Sequence, residues 1–163
     1  MGTRSLTRVI ETYKDIQKNK VVKQTLINMY RQYDGYPSGM GLDLANFLKS
    51  GKVVNGISCN ETQRVFNGAG CLSAQLVAEM KDGVGNIYMY PITAKDCGQE
   101  YEYEILVDFD TKQVTLKCIE VGYVDSKGNY KNGKRVLFNG DPNNFEAFVL
   151  EEEKKEFEQL IKR

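Results

Sequence analysis

The sequence contains no histidine and no tryptophan, and only three prolines among its 163 residues. Without histidine the chain lacks the usual general base near neutral pH and the commonest metal ligand, so a Cys–His mechanism is excluded. The 22 basic and 22 acidic side chains cancel, and binding of long nucleic acid by charge alone is therefore not expected. No apolar run approaches the ~20 residues of a membrane span, and the first residues do not resemble a signal peptide. We expect a soluble cytoplasmic domain with no membrane partner.

Metal-binding patterns are also missing. The four cysteines are far apart and form no C-x-x-C pair: Cys59, Cys71, Cys97 and Cys118. A closed zinc site requires closely spaced ligand pairs, so structural zinc is not expected. We therefore predict no metal, no cofactor and reduced thiols, as in a cytosol.

Hydrophobic periodicity predicts an α+β fold. A first strand over residues 4–11 and a second over 23–31 are separated by a short link, which favours an antiparallel hairpin. Helical spacing follows at 42–49 and 71–81. Four more strands are predicted at 87–91, 100–108, 114–121 and 135–139.

The last predicted helix begins at Asp141 and Pro142, which are its N-cap and its first helical residue. The prediction is a single domain, a mostly antiparallel sheet with two or three helices packed on it. Residues 1–140 are predicted to form the ligand-binding core. Residues 141–163 add a charged amphipathic helix and a possible oligomer contact.

The most distinctive segment lies at the end of the second strand, where three tyrosines surround an arginine and an aspartate. It comprises Tyr30, Arg31, Tyr33, Asp34, Tyr36 and Ser38, interrupted by glycines. Tyrosine rings and a planar guanidinium suit stacking on a base while pairing with a phosphate. The alternative is a strand end and a packed turn whose tyrosines cover the sheet edge.

A second candidate is the glycine-rich start of the 71–81 helix, at Asn67, Gly68 and Gly70. The free N–H groups and positive dipole of a helix start favour an anion. The alternative is a tight turn that merely positions the helix. Cys71, at the same place, is expected to be buried packing.

Charged residues on two strands give further expectations. Arg4 and Arg8 share one face of the first strand. If the second strand is its neighbour, Arg4 could lie near Arg31, and two arginines over one pocket would match two phosphates. An exposed sheet face is the alternative. The row Glu100, Glu102 and Glu104 is expected to be a solvated face rather than a metal site.

Several runs together resemble a widespread family of small phage and bacterial proteins. They lie at residues 2–7, 29–39, 54–56, 67–77 and 87–91, and the resemblance returns at 138–140. The most specific run is Tyr-Arg-Gln-Tyr-Asp-Gly-Tyr-Pro, at residues 30–37. The resemblance implies a viral sponge that binds a cyclic dinucleotide of bacterial CBASS-type immune signalling without cleaving it, in the host cytoplasm.

The sequence thus predicts a non-catalytic protein that sequesters a cyclic nucleotide and works as a homo-oligomer, dimer or tetramer. From their chemistry alone, Arg4 and Arg31 would hold phosphates, and Tyr30, Tyr33 and Tyr36 would stack on bases. Asn67 and the backbone of residues 68–71 would contact phosphate or base edges.

Two alternatives stay open. One is a metal-dependent nucleotide hydrolase that uses carboxylates such as Asp34 or Asp43. The other is a protein-binding inhibitor that docks through the last helix. The stripe Phe157, Leu160 and Ile161 on that helix reaches past its own core, which is the reason for expecting a second subunit.

Overall fold

The computed structural model describes residues 2–56 and 63–163, and it confirms the α+β class and the single domain. The elements are, in chain order, β1 Ser5–Asp15, β2 Lys20–Arg31, α1 Leu42–Lys49, β3 Gly51–Val54, β4 Arg64–Asn67, α2 Gly68–Met80, β5 Ile87–Tyr90, β6 Tyr101–Asp108, β7 Val114–Val124, β8 Tyr130–Gly140 and α3 Phe145–Ile161. A π-helical turn, Pro37–Gly41, precedes α1, and a 3-10 turn, Pro142–Asn144, precedes α3.

The described strands form a six-stranded sheet in the order β5-β2-β1-β6-β7-β8 and a separate β3–β4 pair. Strand β1 pairs antiparallel with β2 on one side and parallel with β6 on the other. The remaining neighbours in the large sheet are antiparallel, so the prediction of a mostly antiparallel sheet is confirmed. The first strand of the chain therefore lies in the middle of the sheet.

One face of the large sheet, which we call the helix face, packs against the three helices. Alternation along the strands directs Val9, Met29, Tyr103 and Leu116 toward it. They join one buried cluster with helix residues that include Leu44, Leu72, Leu76, Phe145 and Val149. No helix in the described part of the chain is long and apolar enough to cross a membrane.

The opposite face of the sheet, which we call the open face, is partly covered by the segment between β5 and β6. The Asn28 amide donates to the carbonyls of Pro91 and Ala94, each at 3.0 Å. Arg8 Nη2 also donates to the Ala94 carbonyl, at 3.4 Å. These bonds hold residues 91–100 across the strands, and Leu6 beneath is fully buried.

The expectation of a solvated glutamate row is wrong for Glu102, which is 1% exposed. Its carboxylate accepts from Gln99 Nε2 at 2.7 Å and Lys134 Nζ at 2.9 Å, and it lies 3.4 Å from Arg8 Nη1. Strand alternation places Glu102 and Tyr103 on opposite faces of the sheet. The segment 91–100 then buries Glu102, whereas Glu100 is exposed and Glu104 is partly exposed. No local pattern in the sequence reveals this difference.

The element boundaries also differ from the predictions. Strand β8 begins at Tyr130 rather than at residue 135, and β7 extends to Val124 rather than to residue 121. Strands β3, Gly51–Val54, and β4, Arg64–Asn67, have no counterpart among the predicted strands. Strand β8 is an edge strand with mostly exposed side chains. Polar residues are tolerated there, because pairing with β7 satisfies the backbone hydrogen bonds on one side of the strand. Charged side chains discourage another chain from pairing with the free side.

The last helix opens as predicted. The Asp141 side chain accepts from the backbone N–H of Asn143 at 2.9 Å, and Pro142 is the first residue of the turn. The turn has 3-10 geometry, and α3 begins three residues later than Pro142, at Phe145.

Candidate functional site

The tyrosine-rich turn after β2 is held in place by Arg31. The guanidinium donates from Nε to the Tyr33 carbonyl at 2.9 Å and from Nη1 to Asp43 Oδ2 at 2.6 Å. Nη1 also lies 3.0 Å from the sulfur of Met40. The side chain is 14% exposed. Arg31 thus joins the end of β2 to α1, with Nε and Nη1 both engaged within the protein.

Replacing Arg31 with alanine should therefore destabilise the fold. Loss of a charge-assisted hydrogen bond costs about 1.5–3 kcal/mol, and we expect the free energy of unfolding to fall by that amount in urea denaturation. Arg135→Ala is the matched control, since Arg135 binds Glu120 at 2.5 Å but is 46% exposed. An exposed pair contributes about 0–1 kcal/mol. Equal losses in both variants would contradict the structural role of Arg31.

The rest of the turn borders an acidic cleft. Tyr36 donates its hydroxyl to Asp34 Oδ1 at 3.2 Å, and the Asp34 charge raises the pKa of Tyr36. Tyr36 and Ser38 line a cleft of about 290 Å³. The charged residues that line this cleft are Arg135 and the glutamates Glu120, Glu152, Glu153 and Glu156. A cleft with four carboxylates and one guanidinium does not favour a phosphate.

Tyr101 lies on the floor of the same cleft. Burial, and after it the charge of Glu120, raises the pKa of Tyr101 to about 12. The Tyr101 hydroxyl is therefore neutral at physiological pH and can act as a hydrogen-bond donor or acceptor, not as a base.

A cluster of three tyrosines lies on the open face, where β5 pairs with β2. We call Tyr30, Tyr88 and Tyr90 the tyrosine platform. The Tyr30 and Tyr90 rings are parallel within 3°, with centroids 4.9 Å apart. Tyr88, directly opposite Tyr30 in the register, is tilted by 51° at 6.3 Å and is 44% exposed. The platform thus offers aromatic surface at a sheet edge.

Two cations border the tyrosine platform. Burial, and after it Tyr90, raises the pKa of Tyr30, whereas the charge of Arg4 lowers it. Arg4 lies on the same face of the sheet, two residues before Leu6, which pairs with Tyr30 in the register. Arg4 Nε lies 4.0 Å from Glu100 Oε2, and the Arg4 side chain is 37% exposed. On the other side, Lys81 Nζ lies 5.5 Å from the Tyr88 ring centroid and donates to the carbonyls of Gly85 and Ile87.

The expectation that Arg4 lies near Arg31 over one pocket is wrong within a single chain. Ser5 pairs directly with Arg31, so these two side chains share the helix face. Arg4, one residue earlier, is directed to the open face, where its Nη1 lies against Gly98. The alternation of β1 places Arg4 and Ser5 on opposite faces, but only the register of the hairpin shows that Ser5, and not Arg4, pairs with Arg31.

Asn67, Gly68 and Gly70 lie away from both arginines. The Asn67 side chain accepts from the backbone N–H of Gly56 at 2.8 Å, and α2 begins at Gly68. Arg31 lies beside Glu79 and Met80, at the opposite end of α2. At 1.5 Å per residue, the two ends of that helix are about 18 Å apart. The glycines open the helix itself rather than a loop in front of it.

Of the predicted site residues, Tyr30 and Arg4 lie on the open face, where Tyr88 and Tyr90 complete the group. In the turn, Arg31 contacts Tyr33 and Tyr36 contacts Asp34. Alternation along the predicted strand at 87–91 places Tyr88 and Tyr90 on one face. Nothing in the sequence indicates that this strand is the neighbour of β2, since β5 and β2 are far apart in the chain.

Cysteine and acidic side chains are the potential metal ligands of this chain, which has no histidine. Among the described residues, no group of three or more Cys, Asp or Glu side chains is placed to hold a metal ion. Cys71, Cys97 and Cys118 are free thiols, and Cys59 lies outside the described residues. Cys118 is buried, and its desolvation raises the pKa of the thiol to about 12.

No protein-family model, no curated protein and no solved structure matches this chain. The candidate site is an aromatic surface with an arginine and a lysine at its borders.

Proposed function

We propose that this protein binds a small cyclic nucleotide on the tyrosine platform and holds it without cleaving it, as a sponge for a CBASS-type immune signal. The observation that carries the proposal is the parallel stack of Tyr30 on Tyr90 with Tyr88 exposed beside it. Stacking of a base on an aromatic side chain contributes about 1–3 kcal/mol and tolerates any base.

The flanking cations supply the contact to phosphate. Arg4 holds a partly exposed guanidinium near Tyr30, and its ion pair with Glu100 is long, at 4.0 Å. A guanidinium has five N–H donors, so Arg4 can donate to a phosphate while it stays near Glu100. In this proposal Arg31 stabilises the turn instead of holding a phosphate.

The hydrolase alternative fits the geometry less well. Its candidate carboxylates, Asp34 and Asp43, bind the Tyr36 hydroxyl and the Arg31 guanidinium respectively. Arg31 lies on the helix face, whereas the tyrosine platform lies on the open face. A nucleotide on the platform would therefore not meet these two carboxylates within the same chain.

Ligand capture and release tests the proposal. The purified protein is mixed with a panel of cyclic mono-, di- and trinucleotides, freed of unbound nucleotide and heated, and the released material is analysed by chromatography. Recovery of an intact cyclic nucleotide is the expected result. Recovery of a cleaved nucleotide would make the protein an enzyme, and no uptake of any panel member would overturn the proposal.

Substitutions then locate the site for the captured nucleotide. Arg4→Ala should weaken binding at least ~10-fold in titration calorimetry, because a charge-assisted contact is lost. Tyr88→Ala should weaken it by a similar factor through lost stacking. Tyr13→Ala is the matched control, since Tyr13 is 37% exposed on β1. Unchanged affinity in folded Arg4→Ala and Tyr88→Ala proteins would remove the platform from the site.

A further inference from the structure

The turn at residues 95–99 lies beside Arg4 on the open face. It is the last part of the segment that crosses the sheet between β5 and β6. The side chain of Gln99 closes this turn: Oε1 accepts from the backbone N–H of Cys97 at 2.8 Å, and Nε2 donates to the Lys95 carbonyl at 2.8 Å. The turn therefore has its shape fixed by one of its own side chains.

The turn is also fastened to the sheet at two places. Gln99 is 6% exposed, and its Nε2 donates to Glu102 Oε1 on β6 at 2.7 Å. Just before the turn, the Ala94 carbonyl accepts from the Asn28 amide on β2 at 3.0 Å. Strands β2 and β6 are the two neighbours of β1 in the sheet. The turn is thus anchored on both sides of the strand that follows Arg4.

The guanidinium of Arg4 lies against the glycine of this turn. Gly98 has a φ of +72°, and a Cβ there would lie 3.0 Å from Arg4 Nη1 and 3.6 Å from Arg4 Cζ. The Gly98 backbone is held by Asp96, whose Oδ1 accepts from the Gly98 N–H at 3.1 Å. The guanidinium therefore occupies the space that a side chain at residue 98 would fill.

The backbone of Arg4 is held at the same position. Its N–H donates to Glu100 Oε2 at 2.7 Å, and its carbonyl accepts from the N–H groups of Glu100 and Tyr101 at 3.0 and 3.3 Å. The main chain of Arg4 thus cannot retreat from the turn. A side chain at residue 98 would have to displace the guanidinium instead.

We infer that Gly98 is a positioning residue for Arg4: it keeps open the space beside the tyrosine platform in which the guanidinium lies to meet a phosphate. The inference rests on the proposed function, because Gly98 acts through the contact between Arg4 and the phosphate. A cation already held in place loses less freedom when the nucleotide binds, which favours binding.

Gly98→Asn tests this role, because asparagine tolerates a positive φ better than most residues that have a Cβ. The probe is the cyclic nucleotide that the wild-type protein captures, and titration calorimetry should show at least ~5-fold weaker binding. Gly98→Ala, the smaller change, should show a smaller loss. Gly128→Asn is the matched control, since Gly128 has a φ of +81° but a Cβ there would meet nothing within 4 Å. Circular dichroism confirms that each variant is folded.

A double-variant cycle separates positioning from a general structural effect. In Arg4→Ala there is no guanidinium to displace, so adding Gly98→Asn should not weaken binding further. The inference alone is overturned if folded Gly98→Asn binds as well as Gly128→Asn, or if Gly98→Asn weakens binding equally with and without Arg4. A wild-type protein that captures no cyclic nucleotide would instead overturn the proposed function, and this inference with it.

Discussion

Replacing Glu102 with alanine is expected to lower the free energy of unfolding by about 3–5 kcal/mol, as for other buried ion pairs that lose one partner. Glu102 is 1% exposed and receives Arg8, Lys134 and Gln99 on its two oxygens. The Arg8 side chain is only 12% exposed. Without Glu102 it keeps a positive charge with little access to water.

Glu104→Ala is the matched control for that experiment. Glu104 lies on the same strand and the same face, is 24% exposed and pairs with Lys117 at 3.9 Å. A pair of this kind contributes about 0–1 kcal/mol. Urea denaturation of both variants gives the comparison. The double variant Arg8→Met/Glu102→Met should recover much of the loss, because apolar replacement of a buried pair is often neutral. A loss in Glu102→Ala no larger than in Glu104→Ala would refute the argument.

Replacing Gly35 with alanine is the second large effect, with an expected loss of about 2–4 kcal/mol from overpacking and a disturbed buried hydrogen bond. A Cβ at Gly35 would lie 2.8 Å from the Arg4 carbonyl carbon and 2.9 Å from Ser5 Cβ. The Gly35 carbonyl also accepts from the buried Tyr103 hydroxyl at 2.8 Å. The turn and β1 are in direct contact there, and backbone atoms cannot move aside as a flexible side chain can.

Gly133→Ala separates this effect from any general cost of removing a glycine. A Cβ at Gly133, on β8, would meet nothing within 4 Å. We expect its free energy of unfolding to change by less than about 0.5 kcal/mol, as for other surface substitutions. Thermal and urea unfolding give both values. A Gly35→Ala protein as stable as the wild type would show that the turn does not press on β1 as the structure describes.

Local patterns in the sequence predicted the elements that depend on local interactions. Helix α1 has its predicted bounds, Leu42–Lys49, because its apolar face and its end are both encoded within eight residues. The strands predicted at 100–108 and 114–121 from hydrophobic periodicity are present as β6 and β7, and they pair as an antiparallel hairpin. Only the second half of β8 was predicted, at residues 135–139. The exposed polar residues of its first half carry no alternation, and only their pairing with β7 defines them.

The candidate site was harder to predict, because its residues meet through non-local pairing. Arg4 and Tyr30 were chosen for their chemistry, and both lie on the open face, where Arg4 is two residues before Leu6, the pairing partner of Tyr30. Tyr88 and Tyr90 join them through the pairing of β5 with β2, across more than 50 intervening residues. Arg31 was assigned a phosphate, but the structure shows it bound to Asp43 and the turn. Arg31 pairs with Ser5, which follows Arg4 by one residue, and this register places Arg4 and Arg31 on opposite faces of the sheet.

The central position of β1 also determines when this strand can gain both of its neighbours. Its hairpin with β2 ends at Arg31, but its other edge pairs with β6, which begins at Tyr101. At a synthesis rate of about 5–20 residues per second, that edge waits roughly 4–14 s on the ribosome for its partner. The sheet is completed later still, because its edge strand β8 ends at Gly140. Folding of this domain therefore needs late, long-range pairing in addition to its first local structure.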